Sequence, residues 1–194
     1  MLLGVVLLYV GAVLIINGIW LVGQARTAAG GGAAAAAEAH PTFLQGREVA
    51  VINVFTGLVG LLAAVILAAQ GNQNGDLASI RAAGYIMLFA FTYLWVAANN
   101  FLNAGGRAFG WYCLFVAVTA VVAGIQVFSN ANGNDASIYL GIDWFAWAVL
   151  WFLFFVLLAL DRPIGRLTGT LAIVEGIGTA WVFGFLLLEN KLSF

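Results

Sequence analysis

The segment Ile142–Leu160, IDWFAWAVLWFLFFVLLAL, is long and apolar enough to cross a membrane as one helix, yet it spends three positions on tryptophan. About 20 apolar residues traverse a hydrocarbon core ~30 Å thick. Trp144, Trp147 and Trp151 fall at i, i+3 and i+7, so on a helix they form one stripe. A rigid indole stripe in such a segment suits lipid-facing filler, packing against a neighbour, or the wall of a narrow passage.

The rest of the chain has the same solvent. Its 194 residues are 64% hydrophobic and only 8% charged, and the mean hydropathy is +1.05. A water-soluble domain carries about 25% charged residues, so the surface of this one must face lipid. The net charge of -1 leaves no basic patch for nucleic acid. Cys113 stands alone in an apolar segment, which excludes an intramolecular disulfide framework and most thiolate metal sites. His40, the single histidine, excludes histidine-cluster chemistry, and no cofactor or metal is expected. Met1–Leu21 lacks a positive n-region and a small-residue cleavage pattern, so it reads as a retained helix.

The membrane ruler marks six spans, at 2–22, 49–69, 80–102, 108–128, 139–160 and 168–188. The fold expected is an all-α membrane bundle forming a single channel domain over 1–194. Residues 23–48 read as a low-complexity cytoplasmic connector, with a mobile Gly/Ala run (AAGGGAAAAA) before Pro41. GNQNGD at Gly71–Asp76 reads as turn chemistry, and Pro163 in DRPIGR stops the fifth helix. Arg26, Arg47, Arg107, Arg162 and Arg166 lie on one side of the bundle, whereas Arg81 and Lys191 lie on the other. The positive-inside rule then puts both termini outside. Six spans can also divide into two inverted runs of three, an arrangement that often places a pathway at the repeat interface. The spacing shared by Gly4–Gly18 and Gly110–Gly124 is a weak sign of this.

Polar groups at depth narrow the function. Glu175 lies about seven residues into the sixth span, roughly 10 Å deep at ~1.5 Å per residue. An ionisable group there costs a few kcal/mol, so it faces a cavity or a partner. It can instead be protonated and hydrogen-bonded to backbone or to Asn17. Asn17 and Asn99 share the cytoplasmic half, and Thr92 and Thr179 add hydroxyls. Asn17 suits helix–helix adhesion as well as ligand contact. Hydrogen-bonding groups below an aromatic stripe suit a small neutral solute with flat faces and polar edges, such as an amide or urea. The chain has no carboxylate ring, arginine ladder or TVGYG-like filter, which argues against a cation channel or voltage sensor. With no second acid near Glu175, no ligand cluster and no deep histidine, an intramembrane enzyme is not expected.

LLGVVLLYVGAVLIINGI at the start, FTYLWVAANN (Phe91–Asn100), WYCLFVAV (Trp111–Val118), FAWAVLW (Phe145–Trp151) and LAIVEGIGTAW (Leu171–Trp181) stand in the order and spacing of one family. Together they resemble the AmiS/UreI family of bacterial amide and urea channels, over nearly the whole chain except the first connector. The resemblance implies a six-helix protomer with its own pore, in a homohexamer of the cytoplasmic (inner) membrane with both termini outside. It implies a pathway lined by Leu3, Leu7, Val10, Leu14, Asn17, Phe91, Trp95, Trp144, Trp147, Trp151 and Glu175, to which depth adds Asn99. Trp95 departs from the family's tyrosine, which leaves urea against aliphatic amide open. The outer loops carry Asp76 and Asp135 but no histidine, so switching by mild external acid is not expected. The pattern is closer to the amide branch, whose members feed an intracellular amidase; coupling to a urease is the other possibility. A proton-coupled transporter using Glu175 and a structural protein without a pore are the rival functions.

Overall fold

The computed structural model describes residues 2–29 and 44–194, with the side chains of 27–29 aside. His40 and residues 30–37 of the Gly/Ala run lie outside the described residues. Six helices long and apolar enough to cross a membrane are present, and no strand occurs among the described residues. They are α1 (Leu2–Ala29), α2 (Gly46–Asn74), α3 (Leu77–Leu102), α4 (Arg107–Ser129), α5 (Asp135–Leu158) and α6 (Gly165–Leu188). Within α6, Gly176–Val182 is π-helical. The expected spans match these helices, but several helices run further. α1 continues seven residues past Val22, and α2 carries on through the GNQN expected as a turn. A ruler built on apolar residues ends where the hydrocarbon ends, whereas backbone hydrogen bonding continues into the interface.

Local signals account for the reversals. Gly75 takes the left-handed conformation (φ 66°) and closes α2 by donating its N–H to Gly71 O. Asp76 then caps α3, accepting from the Ala78 N–H. Asn103 (φ 50°) ends α3 in the same left-handed way. Asn134 caps α5 through the Ser137 N–H and also donates to Ser193 O, tying the C-terminal tail to the α4–α5 turn.

The helices associate as three antiparallel pairs: α1 with α6, α2 with α3, and α4 with α5. Glycine makes each pair close. A Cβ on Gly18 would lie 2.5 Å from Gly169 O, one on Gly57 2.5 Å from Leu94 Cγ, and one on Gly110 2.5 Å from the Ala159 nitrogen. Without a hydrophobic drive between helices in lipid, such backbone proximity is what holds them. In α1, Gly4, Gly11 and Gly18 recur every seven residues and meet Gly184, Gly176 and Gly169 of α6. The spacing shared with Gly110–Gly124 therefore reflects pair contacts, because those two glycines serve α5 in the same way. The closest packing groups the helices two by two.

Pairing leaves apolar residues outside. Phe55, Leu62, Trp111, Phe115 and Val118 are all more than half exposed, as surfaces facing lipid or another protomer would be. The termini meet at one end of the bundle, the terminal end. The five arginines of the sequence bias sit at the other, the arginine end.

Candidate functional site

A cavity of about 670 Å³ runs between the pairs from Leu2, Leu3 and Arg81 at the terminal end down to Leu14, Thr56, Tyr93 and Trp151. Its walls follow from helical periodicity. Leu3, Leu7, Val10 and Leu14 form one face of α1, Tyr85, Phe89 and Tyr93 one face of α3, and Trp144, Trp147 and Trp151 one face of α5. The aromatic residues of α3 and α5 interlock. The Phe89 centroid lies 5.3 Å from that of Trp144, 5.4 Å from Trp147 and 5.9 Å from Trp151. Trp144 and Trp147 meet edge to face at 5.3 Å, and Tyr85 reaches Trp144 at 5.2 Å. These are favourable quadrupolar separations, and they join the α2–α3 pair to the α4–α5 pair.

Polar contacts fix α5 against α6. The Trp147 indole N–H donates to Thr179 Oγ1 (2.8 Å), and the Thr179 hydroxyl donates to Glu175 O (2.6 Å). Tyr139 donates to Gly178 O (2.7 Å). All of these acceptors lie on or beside the π-helical stretch, a local widening found frequently at functional sites.

A second cavity of about 520 Å³ lies at the arginine end and is polar, lined by Trp20, Gln24, Gln45 and Arg47 with Asn99, Asn100 and Asn103. Asn17 and Asn53 sit between the two cavities. Each donates to the other: Asn53 Nδ2 to Asn17 Oδ1 at 2.7 Å and Asn17 Nδ2 to Asn53 Oδ1 at 3.2 Å.

This architecture has relatives. Residues 42–191 match the family described as AmiS/UreI family transporter. The chain belongs to the AmiS/UreI family. It is 37% identical over 189 residues to a Mycolicibacterium smegmatis protein whose name proposes amidate substrates for transport, covering 97% of this chain and 77% of that one. It is 32% identical over 207 residues to the acid-activated urea channel of Helicobacter pylori strain J99, covering 95% and 96%. The crystal structure of the urea channel from Helicobacter pylori superposes with a TM-score of 0.79 at 32% identity, covering 100% of both chains. These relatives are named transporters and channels, not enzymes.

Within this AmiS/UreI protein the residues expected along a pathway divide three ways. Leu3, Leu7, Val10, Leu14, Trp144, Trp147 and Trp151 line the first cavity. Asn99 lines the second. Asn17 and Glu175 are buried, at 7% and 5% exposure, and line neither cavity.

Phe91 and Trp95 line neither cavity. They are 44% and 36% exposed on the outer side of α3, where Trp95 packs on Phe109 and Tyr112 of α4. Two residues are roughly 200° on a helix at 3.6 residues per turn, so the cavity face is carried by Phe89 and Tyr93 instead. Tyr93 places a tyrosine on the cavity face. Thr92 also turns away, its hydroxyl bonded to Phe89 O.

Asp143 is 2% exposed and lies one helical turn before Trp147. Two acids, Asp143 as well as Glu175, are therefore buried within the spans. Asp143 Oδ2 and Glu175 Oε2 have no hydrogen-bond partner among the described residues. Asn17 is engaged by Asn53, not by Glu175. Sequence inspection missed Asp143 because it stands second in an apolar run, where it resembles an interfacial residue. Asn53 carried the same signal as Asn17, a carboxamide inside an apolar span. Among the described residues no group of three or more His, Cys, Asp or Glu could hold a metal.

Proposed function

We propose that this protein is a passive channel for small neutral amides, short-chain aliphatic amides or urea. The carrying observation is the 670 Å³ cavity whose walls set an aliphatic face of α1 opposite three tryptophans. Flat permeants slide between such walls, while a hydrated ion would lose its water with no charge to replace it. The amide name of one relative and the urea name of another support this permeant class. The protein works as a homohexamer with one pore per protomer, in the bacterial cytoplasmic membrane, with both termini outside. It supplies an intracellular amidase or urease. Mild external acid does not switch it, since Asp76 and Asp135 are the acids of the outer loops and no histidine accompanies them. Stopped-flow swelling of proteoliposomes with urea, formamide, acetamide and glycerol tests the reading. Amide and urea entry well above bare vesicles is expected, and entry no faster than bare lipid overturns it.

Burial of both Asp143 and Glu175, each with a carboxylate oxygen that has no hydrogen-bond partner among the described residues, favours a second reading, a proton-coupled transporter in which Glu175 carries the proton. Accumulation of acetamide against its gradient, driven by a pH difference, would establish that reading. Flux that only equalises concentrations supports the channel.

A further inference from the structure

A pair of carboxamides lies along α1 and α2 between the residues that line the two cavities. On α1 the residues lining the first cavity end at Leu14, and those lining the second begin at Trp20. Asn17 lies between them on the same helical face. On α2 the first cavity ends at Thr56 and the second begins at Gly46 and Arg47, again with Asn53 between. Both side chains are buried, Asn53 at 0% exposure. Their two mutual hydrogen bonds form a closed amide dimer, and Asn53 Nδ2 has a further acceptor in Val49 O at 2.9 Å.

Adhesion between α1 and α2 accounts for one such pair in lipid, but not for its place. Near this level α1 and α2 have another tie, from the Thr56 hydroxyl to Tyr9 O at 3.2 Å. The carboxamides stand where the apolar cavity gives way to the polar one, so a solute crossing between α1, α2 and α3 must pass them.

We propose that the Asn17–Asn53 pair is the selectivity site of the pathway. At rest it seals the floor of the apolar cavity, and a permeant amide crosses by taking the place of one side chain in the dimer. This rests on the channel reading and names the group that recognises the permeant. A primary amide or urea presents one carbonyl acceptor beside an N–H donor, the same pair that each asparagine offers. The asparagine that stays in the pair therefore keeps both of its hydrogen bonds, now to the permeant. Glycerol has hydroxyls on separate sp³ carbons and cannot meet a planar carboxamide edge-on with both bonds. It must leave a buried group unpaired, which is heavily penalised.

The test compares acetamide and glycerol permeability in proteoliposomes of the wild type and of the Asn17→Leu/Asn53→Leu double variant. The variant removes both amides together and so leaves no orphaned partner. We expect the acetamide-to-glycerol ratio to fall by about tenfold, the effect of one unmade buried hydrogen bond. If the double variant does not assemble, Asn53→Asp keeps the volume and loses the donor, and the same fall is expected. A ratio unchanged from wild type in a conducting variant overturns the proposal and leaves the channel reading standing. Wild-type vesicles no more permeable to acetamide than bare lipid overturn both.

Discussion

Phe89→Ala removes a ring that touches all three tryptophans of the α5 stripe. Each such aromatic contact contributes roughly 0.5–1.5 kcal/mol beyond area burial, so three contacts amount to about 1.5–4.5 kcal/mol. Truncating Phe in a closed core costs about 3–5 kcal/mol. Phe89 borders a cavity and is only partly buried, so the expected destabilisation is about 2–4 kcal/mol. Thermal unfolding in detergent, followed by intrinsic fluorescence, would register it, since three of the seven tryptophans lie against this ring. The functional effect is separate. Without the ring, the wall facing α1 recedes, and discrimination between acetamide and a permeant one methylene larger weakens. A methylene in a fitted apolar site is worth about 1–3 kcal/mol, so the acetamide-to-propionamide permeability ratio should fall by about tenfold. Phe89→Leu keeps most of the volume without the quadrupole, and an intermediate loss is expected. Wild-type melting together with a wild-type ratio in Phe89→Ala would refute the claim that this ring organises the wall.

Gly18→Ala places a methyl 2.5 Å from Gly169 O and should destabilise the α1–α6 pair by about 1–3 kcal/mol. Gly84→Ala meets nothing within 4 Å and should be neutral or stabilising by up to about 1 kcal/mol, so unfolding of both variants checks the seam. Asp143→Asn removes one of the two buried acids; under the channel reading acetamide entry stays within about threefold of wild type, and an abolished flux in assembled protein would favour the proton-coupled reading. External acidification should not alter flux or stability through Asp76. The Ser79 hydroxyl, with the Ser79 and Ala78 N–H groups, holds its carboxyl below the ordinary 3.8. A carboxylate lowered on folding contributes stability above its unfolded value, lost only as pH falls through the lower folded one. Neutral and mildly acidic media both lie above that window, so several-fold acid activation of flux would contradict the expectation.

Much of the fold was legible because composition alone names the solvent. With 8% charge and six long apolar runs, backbone hydrogen bonding in lipid permits only helices or a closed barrel. Gly4 and Gly18 were read as a weak sign of an internal repeat, whereas with Gly11 they form the face of α1 that meets α6. The tryptophan stripe of α5 was read in the correct phase, since three indoles at i, i+3 and i+7 define a direction by themselves. On α3 the expected Phe91 and Trp95 came from the resemblance, and spacing offered no such direction. Phe89, Phe91, Tyr93 and Trp95 put aromatics on opposite sides of one helix, so no side was distinguished.

The sequence by itself therefore determined that lipid is the solvent, that six helices cross it, and that the arginines gather at one end. Only the tertiary structure decided which side of each helix looks inward, and with it that Phe89 and Tyr93 line the cavity, that Asp143 is buried, and that Asn53 closes on Asn17. The reason is physical. A helix in water reveals its inward face by contrast between apolar and polar residues. A helix in lipid is apolar all round, so its rotation is settled by close packing and by a few internal hydrogen bonds, and those depend on the partner helix as much as on the residue.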